Sequence, residues 1–289
     1  MAQVVRRPTA SGEFRYDVRT RIAGRVVTKT FRRRKDAEAY ANSVEAEKLR
    51  GMAVDPRLAR VELAKWASSW MAQRVDLRPK TRQLYGYLLN SFVLPRLGTT
   101  PLAQLTPSVV RAWHAQLATE RPRIAPKAYQ VLRSCLSTAV TDGLLAVNPC
   151  RVKGAGRTHS PERPVASMAE AGALAANIDE HLRVMVLLAY WCSLRIGELR
   201  GLRRRDIDLL HGWIEVREQV VEVAGTLSTG PTKTAAGRRR IAIPPHVRAD
   251  VERHLSEWVD SSVDAYVFTG ARGAAPLPAA SWQRAWNAA

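Results

Sequence analysis

Between Glu13 and Phe31, apolar Phe14, Tyr16 and Val18 alternate with Glu13, Arg15, Asp17 and Arg19, and Ala23-Gly24 then turns the chain into Arg25-Val-Val-Thr-Lys-Thr-Phe31. A period of two broken by a glycine turn predicts a β-hairpin. Asp36 is placed to cap a helix running to Leu49, with Tyr40, Ala41 and Val44 on one side and Gly51 just past its end. The predicted unit is a small sheet with one helix, presenting Arg19, Arg21, Arg25 and Lys29. A basic sheet of that kind can lie in a DNA major groove, and it is equally the pattern of a solvated surface.

After Asp55-Pro56, apolar positions recur every three to four residues for about ninety residues, the spacing of helices. Leu63, Trp66 and Trp70 form one stripe; Leu84, Tyr87, Leu88 and Phe92 form a second, entered at Pro79 and closed by Pro95 and Gly98. Thr106-Pro107 caps a third helix bearing Val110, Trp113 and Leu117, and a fourth runs from Ala125 to Asp142 through Tyr129, Leu132, Leu136 and Val140. These stripes are read as the core of a four-helix domain. Lys153 to Pro164, rich in Gly, Ser, Arg and Pro, reads as a linker that is either a strap along a DNA backbone or a plain hinge. Beyond it, helices (168–178, 180–191, then Val247 to Trp258) alternate with strands around Ile214 and Ile241.

Charge changes the picture from fold to partner. The 289 residues carry a formal charge of +19, and Lys plus Arg against Asp plus Glu number 14 to 7 in residues 1–57, 15 to 4 in 58–160 and 16 to 15 in 161–289. A surface that basic attracts polyanions and releases counterions from phosphates. A protein basic only for solubility has no reason to leave its last segment nearly neutral, so nucleic-acid binding is placed in the first 160 residues, with Lys80, Arg82, Lys127 and Arg133 as candidate contacts on the helical domain. Neither a run of roughly 20 apolar residues nor a secretory leader is present, which predicts a cytoplasmic protein. Cys135, Cys150 and Cys192 fit neither a disulfide framework nor zinc spacing, and are read as reduced and structural.

Two segments carry candidate chemistry. In Cys192-Ser-Leu-Arg-Ile-Gly-Glu-Leu-Arg-Gly201 a helix turns sharply and another begins near Arg195, whose five fixed guanidinium donors suit phosphate oxygens; Glu198 lies three residues on, along the same face. Gly230-Pro-Thr-Lys-Thr-Ala-Ala-Gly-Arg-Arg-Arg-Ile-Ala-Ile-Pro244 places Lys233 at a hairpin tip, able to donate a proton to a leaving oxygen, with Arg238 and Arg239 as candidate DNA contacts on a basic return strand. Taken singly, the first is equally a structural ion pair and the second a solvated turn.

In this order, after a helical domain, they resemble the tyrosine recombinase, or phage integrase, family. Residues 1–55 resemble its arm-type DNA-binding domain, 58–152 its helical, SAM-like core-binding domain ending Leu144-Leu-Ala-Val-Asn-Pro149, and 164–289 part of its α+β catalytic domain. Leu194-Arg-Ile-Gly-Glu-Leu199 with Asp206-Ile-Asp208 is the most specific match, supported by Pro231-Thr-Lys-Thr234 and a Tyr266-Val-Phe268 strand. The resemblance implies a multidomain, mainly α protein with small sheets that cuts DNA through a 3′-phosphotyrosine and needs no metal or nucleotide cofactor and no small-molecule substrate. Its partners would be double-stranded DNA, at arm-type and core-type sites, and other protomers on that DNA. It also implies that Arg195 stabilises the pentavalent phosphate, Glu198 supports it, and Lys233 is the general acid. The family's His-x-x-Arg box is not found: none of His114, His159, His181, His211, His246 and His254 has an arginine three positions later, and no tyrosine is assigned as nucleophile. The chain is therefore expected to be an incomplete catalytic domain, with exposed apolar surface near Trp282 and Trp286 and lower stability in residues 164–289; the alternative is a DNA-binding remnant that occupies sites without cutting them.

Overall fold

The computed structural model describes residues 2–9, 12–22, 25–49, 60–158, 160, 162–270, 273 and 275–289. The predicted hairpin forms as β2 (Phe14–Ile22) and β3 (Arg25–Phe31), while its turn, the Asp55-Pro56 linker, Gly51 and His159 lie outside the described residues. A strand not foreseen, β1 (Gln3–Pro8), pairs antiparallel with β2, giving the order β1-β2-β3. Helix α1 (Arg34–Leu49) begins two residues before Asp36, which sits in its first turn. The helix covers one face of the sheet by packing Ala37, Ala41 and Val44 on Val18 and Val27.

Register corrects the expectation that the four basic residues act together. Residues directly opposite across strands share a face. Arg19 pairs with Thr28 and Arg21 with Val26, on the open face with Arg15. Lys29 instead pairs with buried Val18, on the helix side, where its ammonium lies 4.4 Å from the Tyr40 ring centroid. Arg25 pairs with Ile22, and its side chain lies outside the described residues.

The helical region contains α2 (Leu63–Gln73), α3 (Pro79–Leu88), a π turn (Leu89–Val93), α4 (Leu94–Leu97), α5 (Pro107–Glu120) and α6 (Ala125–Thr141). Its core is apolar and held by three tryptophans, each of which buries its ring and donates its indole N–H: Trp66 to the Cys135 carbonyl (3.1 Å), Trp70 to the Thr138 hydroxyl (3.0 Å) and Trp113 to the Phe92 carbonyl (2.9 Å). Thr106 caps α5 as expected, accepting from the Val109 N–H. The second stripe departs from its prediction: Leu84 and Tyr87 are exposed, and Leu88, Leu89 and Val93 are buried. The buried face runs one residue out of phase with the predicted stripe already within α3, and the helix continues through the π turn into Pro95, where the sequence suggested a stop. Burial pushes the thiols of Cys135 and Cys150 up to about 12, which keeps them protonated.

By its internal contacts the chain divides into two compact units, Met1–Ser160 and Pro161–Ala289. The second contains α7 (Met168–Asn177), with a reciprocal Ser167–Glu170 cap, then α8 (Glu180–Trp191) and the short α9 (Ile196–Gly201). Strands β4 (Ile207–Asp208), β5 (Trp213–Val216) and β8 (Arg239–Ala242) make one sheet, β6 (Glu218–Val223) and β7 (Thr226–Pro231) another, and α10 (Pro245–Glu257) and α11 (Ala279–Ala288) follow. Tyr266 contributes a single bridge to Arg203, in place of the strand expected there. Trp286 is exposed, and Trp282 is half-buried against the core. No helix among the described residues is long and apolar enough to cross a membrane.

Candidate functional site

Helix α8 stops when the Cys192 N–H bonds the Leu188 carbonyl, and Ser193 then takes a left-handed conformation (φ 50°) that reverses the chain. Leu194 turns inward, and Arg195 becomes the residue that precedes α9. The short helix lies directly on β6, because a Cβ on Gly201 would come within 3.0 Å of the Gln219 backbone and one on Gly197 within 3.3 Å of the Val220 carbonyl. Those two glycines allow the close approach, so Glu198 between them is carried into the interior, its side chain only 3% exposed.

Four hydrogen bonds converge on that carboxylate. Oε1 accepts from Arg195 Nη1 (2.9 Å) and Arg239 Nη1 (3.0 Å), while Oε2 accepts from the Arg195 backbone N–H (3.0 Å) and Arg239 Nη2 (2.9 Å). Burial by itself raises the Glu198 pKa, but the bonds from Arg239 and Arg195 outweigh it and hold the carboxyl below the usual glutamate value. Arg195 is tied at one nitrogen and its side chain is otherwise 69% exposed, so a charged, oriented guanidinium faces outward.

Lys233 is exposed, but it is not at a hairpin tip. Strand β7 pairs with β6 through the Ala224-Gly225 turn, whose positive φ angles suit a tight hairpin, and β8 pairs with β5, so the segment between β7 and β8 crosses from one sheet to the other. That crossing is folded on itself: Thr232 is buried and donates to the Thr234 carbonyl, and a Cβ on Gly237 would lie 2.7 Å from the Thr232 side chain. The Gly237 carbonyl accepts from Arg239 Nη1 at 2.9 Å. One arginine thus joins the Lys233 segment to Glu198 and Arg195.

Arg239 was expected among DNA contacts; its guanidinium is engaged inside the unit. The signal was present in the sequence, since Arg239 shares the parity of Ile241 and Ile243 and pairs with buried Val216. Arg238 faces outward, 69% exposed and 3.7 Å from Glu215. Reasoning from sequence also missed buried Arg200, which donates to Glu222 (2.9 Å) and to the Leu277 carbonyl, while Glu222 also accepts from the Ala279 N–H that opens α11. Tyr266 is fixed by Arg203 Nη2 (3.1 Å) and Thr229 (2.8 Å).

In the helical region Lys80, Lys127 and Arg133 are exposed. Arg82 is not available in the same way: its guanidinium donates to the Met71 carbonyl (2.7 Å) and to that of Arg74, closing the end of α2. The segment from Asn148 to Gly156, which includes the beginning of the expected linker, is tied to α5 and α6. Asn148 donates to the Arg133 carbonyl (2.9 Å) and Ser137 (2.8 Å), the Val152 N–H to the Tyr129 hydroxyl (2.9 Å), and Gln130 to the Gly156 carbonyl, while His114 bonds the Ala155 carbonyl (3.2 Å). Exposed Arg151, Lys153 and Arg157 are thereby fixed on the helical unit.

Comparison with known proteins agrees with this architecture. Residues 62–118 match the phage integrase N-terminal SAM-like domain. The chain is 35% identical over 219 residues to the integrase of Mycobacterium phage D29, covering 74% of this chain and 58% of the relative. It is 34% identical over 252 residues to the prophage phiRv2 integrase of Mycobacterium tuberculosis (strain CDC 1551 / Oshkosh), covering 84% and 66%. The chain therefore spans about three-fifths to two-thirds of the length of these relatives. Among solved structures, the Tn1549 transposon integrase in complex with transposon right end DNA superposes with a TM-score of 0.66 at 18% identity over 77% of this chain and 75% of that one. A lambda integrase dimer bound to a COC′ core site gives 0.58 at 19% identity over 98% and 80%. With the SAM-like match on its helical region, integrases among its relatives and the same fold in solved integrases, the chain belongs to the tyrosine recombinase, or phage integrase, family.

Proposed function

We propose that the protein is a site-specific recombinase of the tyrosine type, which binds double-stranded DNA at attachment sites in the cytoplasm and acts there with other protomers. Three functional regions are assigned: residues 1–55 to arm-type DNA, 58–152 to core-type DNA and 164–289 to part of the strand-exchange site. The observation that carries the reading is the Glu198 carboxylate holding Arg195 with its guanidinium exposed, while Arg239 links the same carboxylate to the segment bearing Lys233. Arg195 would stabilise the charge that develops on the phosphate, and Lys233 would protonate the leaving 5′ oxygen. DNA-bound integrases among the solved structures of the same fold support the choice of partner. The exposed Lys80, Lys127 and Arg133 supply backbone contacts, and Arg19 and Arg21 lie on the open sheet face toward arm-type sites.

No histidine here has an arginine three positions later, so the reading assigns no nucleophile to these 289 residues and places cleavage beyond their unaided reach. Duplexes selected by the protein from a library of genomic fragments test the function. Enrichment of two distinct sequence classes, one protected by the sheet unit and one by the helical unit, is expected; a single palindromic operator class would instead mark a transcription regulator.

A further inference from the structure

Resting on that reading, we propose that Arg239 is a positioning residue and not a DNA contact: it grips Glu198, which aims Arg195, and closes the segment that carries Lys233. Its two terminal nitrogens take one carboxylate oxygen each, at 3.0 and 2.9 Å, and one of them also reaches the Gly237 carbonyl. A bidentate guanidinium fixes a carboxylate in orientation as well as position. Each oxygen of that carboxylate in turn holds Arg195, one through its guanidinium and one through its backbone N–H. To reach a phosphate, Arg239 would have to abandon a carboxylate whose side chain is 3% exposed, leaving a buried charge with half its partners. Its neighbours are placed differently: the side chains of Arg238 and Arg240 are 69% and 62% exposed, that of Arg239 29%. The strand therefore alternates between an outward basic face and one inward arginine.

The test uses the full chain as Arg239→Gln and Arg239→Lys. The first readout is the salt dependence of binding to a duplex recovered in the selection above. Loss of one phosphate contact lowers the slope of log K against log salt by about 0.9, and an unchanged slope in folded Arg239→Gln is expected. The second is NMR of the Glu198 side-chain carboxyl and the Arg195 guanidinium N–H. In Arg239→Gln the carboxyl should titrate at higher pH and the Arg195 signal should broaden or shift; Arg239→Lys, which retains charge without the fork, should restore the titration in part and the Arg195 signal little. A slope reduced by about one, or Arg195 and Glu198 signals unchanged in the folded variants, overturns the proposal. If Arg239→Gln does not fold, Arg239→Lys decides by the same two signals. Failure of the wild-type chain to bind any duplex would sink the recombinase reading alone, since the NMR comparison needs no DNA.

Discussion

In the helical unit Lys80, Lys127, Arg133, Arg151, Lys153 and Arg157 are all exposed, whereas in the second unit Arg200, Arg203, Arg204 and Arg239 end on acids, carbonyls or a phenol of their own chain. The helical unit packs tryptophan, leucine and alanine into its core and leaves its positive charge at the surface. The second unit is nearly neutral by composition, and much of its positive charge is used to fasten short elements together. Nearly equal numbers of basic residues, 15 in residues 58–160 and 16 in 161–289, thus mean different things: in the helical unit many stand exposed at the surface, whereas in the second unit several are internal ties, beside outward guanidinium groups such as Arg195.

Different substitutions should break the two units. Trp70→Ala removes a ring that is 1% exposed together with its bond to Thr138, and should cost the helical unit about 3–5 kcal/mol. Denaturant unfolding followed separately in the two units should show the second transition unmoved. Glu198→Gln should destabilise the second unit by about 3 kcal/mol at neutral pH, because it removes the charge shared by two arginines. The pH dependence has a definite sign. A carboxyl held below its unfolded value, about 4.3, contributes fully above that value and loses its contribution as pH falls through the folded pKa. Wild-type protein should therefore lose second-unit stability on acidification, and the difference from Glu198→Gln should shrink; a constant difference down to acid pH would count against the shared carboxylate.

Smaller effects sharpen the contrast. Lys127→Ala or Arg133→Ala should change stability by no more than about 0.5 kcal/mol, yet each should lower the salt slope of DNA binding by about 0.9. Ser193→Gly should stabilise the second unit by up to about 1 kcal/mol, since it relieves a left-handed serine, with the melting midpoint as the check.

The helices were legible because their stripes are long and their ends punctuated, as at Thr106-Pro107. The π turn at Leu89–Val93 was not, since apolar periodicity carries no mark of a local change in hydrogen-bond spacing. Strand β1 contains Val4-Val5 followed by Arg6-Arg7, too little alternation to announce itself, and it forms because β2 offers an edge. The pairing of β7 with β6, which removes Lys233 from a hairpin tip, is a tertiary choice between two possible partners. Of the site, the pairing of Arg195 with Glu198 was readable from their spacing and their role only through the resemblance, whereas the tie from Arg239, forty-one residues away, needed the register of β8. Arg82 shows the opposite error: a cation on a basic unit that closes a helix end and presents little to a partner.

The central contrast is tested most directly by chemical labelling of lysine and arginine side chains in the 289-residue chain, free and saturated with DNA, read residue by residue by mass spectrometry. The account predicts that Lys80, Lys127, Arg133, Arg151, Lys153 and Arg157 react in the free protein and are protected by DNA, while Arg200 and Arg239 react poorly in both states. Full reactivity of Arg200 or Arg239 in the free protein, or first-unit residues labelled equally with and without DNA, would contradict it.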